Sequence, residues 1–121
     1  GTDGRNYPWE GPFDKTLCNM GETGIRGTSP VGIFPAGESR YKVAEMAGNV
    51  WEWVNDWYDA KYYSVSPASN PQGPATGTSR VLRGGSWGSN DYNVRSAVRN
   101  LNIPDLWFDV GGFRCVRSLR S

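Results

Sequence analysis

The sequence predicts one loop-rich domain of short strands and few helices, and three observations carry that expectation. Sixteen Gly and eight Pro in 121 residues punctuate the chain too often for helices of ordinary length. Aromatic residues make up 13%, so large rings must build what is a real but modest core. The β-favouring residues fall in short runs separated by turn signals.

Residues 1–40 are dense in such signals, among them Tyr7-Pro-Trp-Glu10, Gly24-Ile-Arg-Gly27, Ser29-Pro30 and Pro35-Ala-Gly37. The run Val50-Trp-Glu-Trp-Val-Asn-Asp-Trp-Tyr58 reads as a strand with one face buried, its tryptophans more suited to a core than to a binding site. From Tyr62 to Ser79 the Ser, Pro, Asn, Gly and Thr content marks a long surface loop. Val81 and Leu82 begin a second strand within Ser79–Arg83, and further short strands are expected over Arg95–Arg99 and Phe113–Arg117. No repeat or linker divides residues 1–121 into two units.

Composition excludes several functions. Thirteen basic and twelve acidic side chains give a net charge of +1, too little field to gather nucleic acid or a membrane surface. Arg95, Arg99, Arg114, Arg117 and Arg120 cluster in sequence, but Asp91, Asp105 and Asp109 lie among them. No apolar run approaches the roughly eighteen residues of a membrane span, and no signal peptide is present. The abrupt opening at Gly1-Thr-Asp-Gly4 fits a chain that has lost a leader. With no histidine, the usual general base, hydrolase triads and zinc sites are missing. Arg83-Gly-Gly-Ser86 is too short for a phosphate loop. Cys18 and Cys115 match no metal-ligand spacing, and both a disulfide and two buried thiols stay open.

The motifs Ala47-Gly-Asn-Val-Trp-Glu-Trp53, Arg83-Gly-Gly-Ser-Trp87 and Gly112-Phe-Arg114, with Tyr7-Pro-Trp9 and Gly27-Thr-Ser-Pro-Val31, closely resemble the formylglycine-generating-enzyme, or sulfatase-modifying-factor, superfamily. The resemblance implies an α+β, C-type-lectin-like fold, irregular and loop-rich, with short antiparallel strands and few helices. It also implies that residues 1–121 are the C-terminal part of one family domain. The missing N-terminal part would make the chain a fragment, a cleaved product or a shortened member, and that part as a separate chain is one suggested partner. In the enzymes, two cysteines after the Gly-Gly-Ser motif hold copper and attack the substrate thiol. Their places here are taken by Ser89 and Val94, which can neither bind copper(I) nor exchange thiols, so the resemblance points away from that enzyme activity. A branch resembling iron-dependent sulfoxide synthases would need histidine ligands that are also absent.

The run Val81–Trp87 with Arg95-Ser-Ala97, Arg99, Pro104-Asp105 and Gly112-Phe-Arg114 further resembles the target region of diversity-generating-retroelement variable proteins. There, adenine randomisation of AAC codons cannot yield Lys, Glu, Gln, Met or Trp. Gly88, Ser89, Asn90, Tyr92, Asn93, Val98, Asn100, Leu101, Asn102, Ile103, Leu106, Phe108, Asp109 and Val110 are all reachable from AAC in this way, and Trp107 from AGG. These residues are the expected ligand-binding set. Independently of the resemblance, so many large apolar groups among Asn and Gly form an adaptable recognition surface, since rings supply area and amides supply hydrogen bonds. Tyr92 is expected to be exposed and at least one of Trp107 and Phe108 buried. The expected partner is a protein or other macromolecule, with no nucleic acid and no direct membrane insertion. The implied setting is a cell surface, a secreted protein or phage display. An undiversified non-catalytic family domain and a formylglycine-generating-enzyme-like oxidoreductase are the alternatives.

The resemblance also implies a structural calcium ion at Glu45, Gly48, Val50 and Glu52, with side-chain oxygens at the ends and carbonyls between, a hard donor set that suits calcium. Glu45 is longer than the Asn or Asp expected there. A second family site would use Asn19 and Thr23, across a shortened loop. A surface can vary only on a fixed frame, so Gly84, Gly85 and Gly112 are expected at tight backbone positions and Trp87, Arg95 and Phe113 buried or hydrogen-bonded.

Overall fold

The computed structural model describes residues 3–117. Ordinary α-helices are absent among them, and single 3₁₀ turns stand at Lys15–Leu17, Gly21–Thr23, Pro35–Gly37 and Tyr62–Ser64. Four strands form one sheet in the order β3-β2-β1-β4, with β1 at Trp51–Trp57, β2 at Arg80–Arg83, β3 at Asn100–Asn102 and β4 at Gly111–Gly112. β2 runs antiparallel to both β1 and β3.

β1 forms where the aromatic run predicts it, with Trp51 buried and Trp53 and Trp57 half-buried. Its pairing with β2 is interrupted: Trp53 faces Leu82 and Trp57 faces Arg80, so four residues of β1 advance against two of β2. A bulge of this kind bends the strand. The Arg80 guanidinium closes the bend, 3.6 Å from the centre of the Trp57 ring and bonded to the Asn55 carbonyl.

Two expected strands are displaced. Residues 95–99 form turns instead, because the N–H groups of Asn93, Arg95 and Val98 donate to the carbonyls of Asn90, Tyr92 and Arg95. Their backbone groups are spent locally, and pairing with β2 begins only at Asn100, opposite Leu82. Near the C-terminus the paired residues are Gly111 and Gly112, not 113–117, and they lie parallel to Trp51 and Glu52. Close approach selects the glycines: a Cβ at Gly112 would stand 2.8 Å from Val50 Cγ2, and one at Gly111 would stand 2.7 Å from Phe108 Cζ. Phe113, expected to be buried, is 76% exposed. Short antiparallel pairings make up most of the sheet, as expected, with this two-residue parallel pairing added at its edge.

The core gathers the irregular N-terminal segment against the motif loops. Tyr7 and Trp9 stack at 5.2 Å and pack with Cys18, Met20, Ala47 and Val94, with Phe13 and Leu17 partly buried alongside. Val81, Leu82 and Trp51 are buried in the sheet. Asn49 ties these parts together through both backbone and side chain. Its N–H donates to the Asn19 carbonyl at 2.8 Å and its carbonyl accepts from Trp87 N–H at 2.9 Å. Its side chain accepts from Ser29 N–H at 2.9 Å and donates to the Ser29 carbonyl at 3.2 Å.

This crossing requires Gly48, whose φ is +75° and whose Cβ, if present, would lie 2.1 Å from the Asn19 carbonyl oxygen. Gly24 has a similar φ of +79° with nothing nearby, so it isolates the clash from the backbone strain. Gly24→Ala is expected to cost about 1–2 kcal/mol, and Gly48→Ala about 2 kcal/mol more because backbone must also move. Urea denaturation of the two variants measures the difference, and equal costs would show that the crossing is not tight.

Candidate functional site

The loops after β2 are fixed from below. The Arg83 guanidinium donates to the carbonyls of Ala97 and Val98 at 3.1 and 2.8 Å. Burial holds its pKa below the ordinary value, and the nearby Arg99 charge acts in the same direction. Gly84 and Gly85 both take positive φ, and the Gly84 carbonyl accepts from Gly48 N–H at 2.8 Å. Ser86 N–H donates to Ser89 Oγ at 2.9 Å, while the Ser89 carbonyl accepts from Gly21 N–H at 2.9 Å. Trp87 is half-buried and Arg95 is tied to Tyr92 by a bond from Nε to the Tyr92 carbonyl.

On this base most of the expected binding residues face outward. Gly88, Asn90, Asn100 and Asp109 are exposed, as are Tyr92 at 58%, Leu101, Ile103, Leu106 and Trp107 at 87%. Asn93, Val98, Asn102 and Val110 are half-buried, and Val110 supplies a carbonyl to Trp51 N–H. Phe108 is half-buried too, its ring edge-on to Trp53 at 6.0 Å. Of the Trp107–Phe108 pair, Phe108 is therefore the anchor. Ser89 is the correction: it is 7% exposed, because its hydroxyl and carbonyl both serve the frame, and it belongs to the floor of the loops. Val94 is fully buried in the core.

Sequence reasoning missed a groove of about 450 Å³ beside these loops. Its walls include Tyr58, Tyr92, Arg95, Val98, Arg99 and Asn100. Arg95 lies 4.0 Å from the centre of the Tyr92 ring, and Arg99 lies 5.0 Å and 4.3 Å from those of Tyr58 and Tyr63. The i, i+4 spacing of the two arginines was the available signal, since even the strand expected over 95–99 would place both on one face, but nothing in the sequence showed that Tyr58 and Tyr63 lie beside them. Of the other clustered arginines, Arg114 is turned inward and Arg120 lies outside the described residues.

Arg114 closes the turn before β1. It bonds to both Glu52 carboxylate oxygens at 2.6–2.9 Å, and to the carbonyls of Ala44 and Glu45 at 2.9 Å. Glu52 raises its pKa further. Glu45 Oε1 accepts from Gly32 N–H at 3.0 Å, whereas the buried Oε2 has no partner among the described residues. Asn19 Oδ1 is likewise buried and unpartnered there. An unsatisfied carboxylate oxygen is costly in such a place. Glu52 is ion-paired with Arg114, so of the two carboxylates expected to hold calcium only Glu45 keeps an unpartnered oxygen, a hard donor of the kind calcium takes.

Both cysteines are free thiols, Cys18 buried and Cys115 exposed. The buried–buried and disulfide expectations are thus both replaced.

The architecture is the C-type-lectin-like fold of formylglycine-generating-enzyme-like domains. The chain belongs to the family described as sulfatase-modifying factor enzyme 1-like domains, whose profile matches residues 1–119. It is 41% identical over 117 residues to the formylglycine-generating enzyme of Mus musculus, covering 93% of this chain and 30% of that protein. It is also 34% identical to the inactive C-alpha-formylglycine-generating enzyme 2 of the same organism, covering 98% of this chain and 38% of that one. The chain thus spans about a third of these relatives' length. Among solved structures, Treponema denticola variable protein 1 superposes with a TM-score of 0.72 at 26% identity, over 91% of this chain and 40% of that one. PvdO from Pseudomonas aeruginosa gives 0.72 at 30% identity, over 88% and 43%.

Burial pushes the Cys18 thiol from its ordinary value near 9 up to about 11, with the Glu45 and Asp14 charges adding to the effect. Between these values the folded state holds a proton that the unfolded state has lost. Stability should therefore be unaffected by this group below about pH 8.5 and fall by up to about 2–3 kcal/mol as pH rises towards 11. Urea midpoints across pH 8–11 should show this loss in the parent and a smaller one in Cys18→Ala, and matching slopes would refute it.

Proposed function

We propose that this domain is a non-catalytic receptor or adhesion module that binds a macromolecular ligand, a protein above all, through the loops between Gly88 and Val110. The observation that carries this reading is the division between frame and tips. Arg83, Ser86, Ser89 and Val94 are spent on hydrogen bonds or packing, while Tyr92, Leu101, Ile103, Leu106 and Trp107 stand exposed. Each large apolar group left in water forgoes roughly 1.5–3 kcal/mol of burial, which a bound partner would recover. The likeness to a variable protein supports retroelement diversification of these positions. Ser89 and Val94 at the enzyme cysteine positions support the absence of thiol chemistry. The formylglycine-generating relatives favour a second, oxidoreductase reading, which predicts copper(I) binding and a redox-active thiol pair.

The test is simultaneous exchange of Asn90, Tyr92, Asn100, Leu101, Ile103 and Trp107 in a displayed library. Variants are expected to fold with stability changes under about 0.5 kcal/mol per exposed site and to yield binders to chosen proteins. General loss of folding would overturn the reading. In the encoding DNA, a nearby reverse transcriptase and a repeat of the segment for residues 81–114 differing only at adenines would identify the diversification, and their absence would leave an undiversified domain.

A calcium ion held by the Glu45 and Glu52 carboxylates with the Gly48 and Val50 carbonyls belongs to the same proposal, as a structural rather than reacting group. Its support is the unpartnered Glu45 Oε2. A ligand bound only by the folded state stabilises it by mass action, about 2.7 kcal/mol at a hundredfold excess over Kd. Chelation should lower the melting temperature by several degrees, calcium should restore it, and Glu45→Gln should weaken the response. An unchanged melting curve in chelator would remove the ion.

A further inference from the structure

We infer that the groove between Tyr58, Tyr92, Arg95 and Arg99 is an anion-reading subsite that takes the carboxylates of an acidic segment of a protein ligand. The inference deepens the binding reading above and rests on it. Both guanidiniums are placed by aromatic faces rather than by acids: Arg95 over Tyr92, and Arg99 over Tyr58 and Tyr63. None of the residues lining the groove carries a carboxylate. Among the described residues neither arginine forms an ion pair.

Their hydrogen-bonding capacity is also largely unspent. Arg95 donates through Nε to the Tyr92 carbonyl at 3.3 Å, and its two terminal nitrogens have no partner among the described residues. Arg99 reaches one acceptor, the Asp59 carbonyl, with both terminal nitrogens at a long 3.4 Å. Stacking fixes the plane of a guanidinium and leaves its edge free, the geometry that a carboxylate meets with two parallel bonds. A volume of about 450 Å³ holds a few side chains, and the Tyr58, Tyr92 and Val98 walls offer apolar surface beside the charge. With a net charge of only +1 the molecule lacks the broad field that a nucleic acid backbone requires, so a peptide is the better occupant.

Arg95 and Arg99 are frame positions in the diversification pattern, whereas their neighbours Tyr92, Asn93, Val98 and Asn100 are candidate variable ones. Arg99, supported by Tyr58 and Tyr63 outside the variable set, would supply a constant demand for negative charge, while exchange of Tyr92 would retune the placing of Arg95 and the surround. Different loop sequences would select different acidic segments.

Titration of the intact chain with a capped hexaglutamate peptide, followed by amide chemical shifts, tests this. Saturable binding is expected, with shifts at Tyr92, Arg95, Arg99 and Asn100, weakened by salt and at least about tenfold tighter than capped hexaglutamine. Arg95→Gln and Arg99→Gln should each weaken it about tenfold or more. Asn100→Asp, an exposed change that leaves both arginines and their contacts in place, should weaken it several-fold by repulsion. Equal affinity for hexaglutamine, no effect of any of the three substitutions, or tighter binding of an equally charged oligothymidylate or of inorganic sulfate would overturn the inference. A domain that tolerates loop exchange and yields binders yet ignores hexaglutamate would fail here alone, leaving the displayed-face reading intact.

Discussion

The structure depends on one crossing, where Asn49 is bonded at once to Asn19, Ser29 and Trp87. With so little regular secondary structure, most backbone polar groups have no ladder to satisfy them. A single asparagine with positive φ supplies donors and acceptors to three segments remote in sequence. Gly48 makes that crossing sterically possible. The N-terminal turns, the β1 strand and the loops that follow β2 are thereby held as one body before any large apolar area is counted.

Arg114 is the second tie, joining the end of the chain to the Ala44–Glu45 turn and to Glu52 on β1. Its bonds involve an ionised donor and carboxylate, roughly twice as strong as neutral ones. Together the two ties explain why short strands suffice. β4 needs only two glycines because Phe108 and Val50 cover it, and β3 only three residues because Arg83 holds the preceding turn. A frame made of such discrete bonds can hold loops whose own side chains contribute little to stability.

That arrangement separates the residues that stabilise the loops from those that stand in solvent. Phe108 packs on Trp53, and beside it Trp107 projects into solvent. Adjacent residues thus divide anchoring from display. The groove arginines show the same economy, since tyrosines support them and their polar edges stay available. The floor of the loops carries a serine used as a hydrogen-bond partner and a valine used as packing.

The sequence by itself determined the loop-rich character, the β1 and β2 strands, and the exposure of Tyr92, Asn100, Leu101, Ile103, Leu106 and Trp107 within the loops. Glycine frequency, aromatic alternation and motif spacing are local properties legible without coordinates. It could not place β3 and β4, because β-favouring residues at 95–99 and 113–117 do not reveal that residues 90–98 close turns among themselves, nor that Gly111–Gly112 alone fit beside Trp51 and Glu52, with Val50 against Gly112. Nor could it distinguish Ser89 from Asn90, small polar neighbours of which one faces Ser86 and the other water. Phe113 was misjudged for the same reason: hydrophobicity sets the cost of exposure, but only the folded chain decides whether a partner surface is present. The groove, finally, depends on Tyr58 and Tyr63 meeting Arg99, contacts that tertiary structure alone creates.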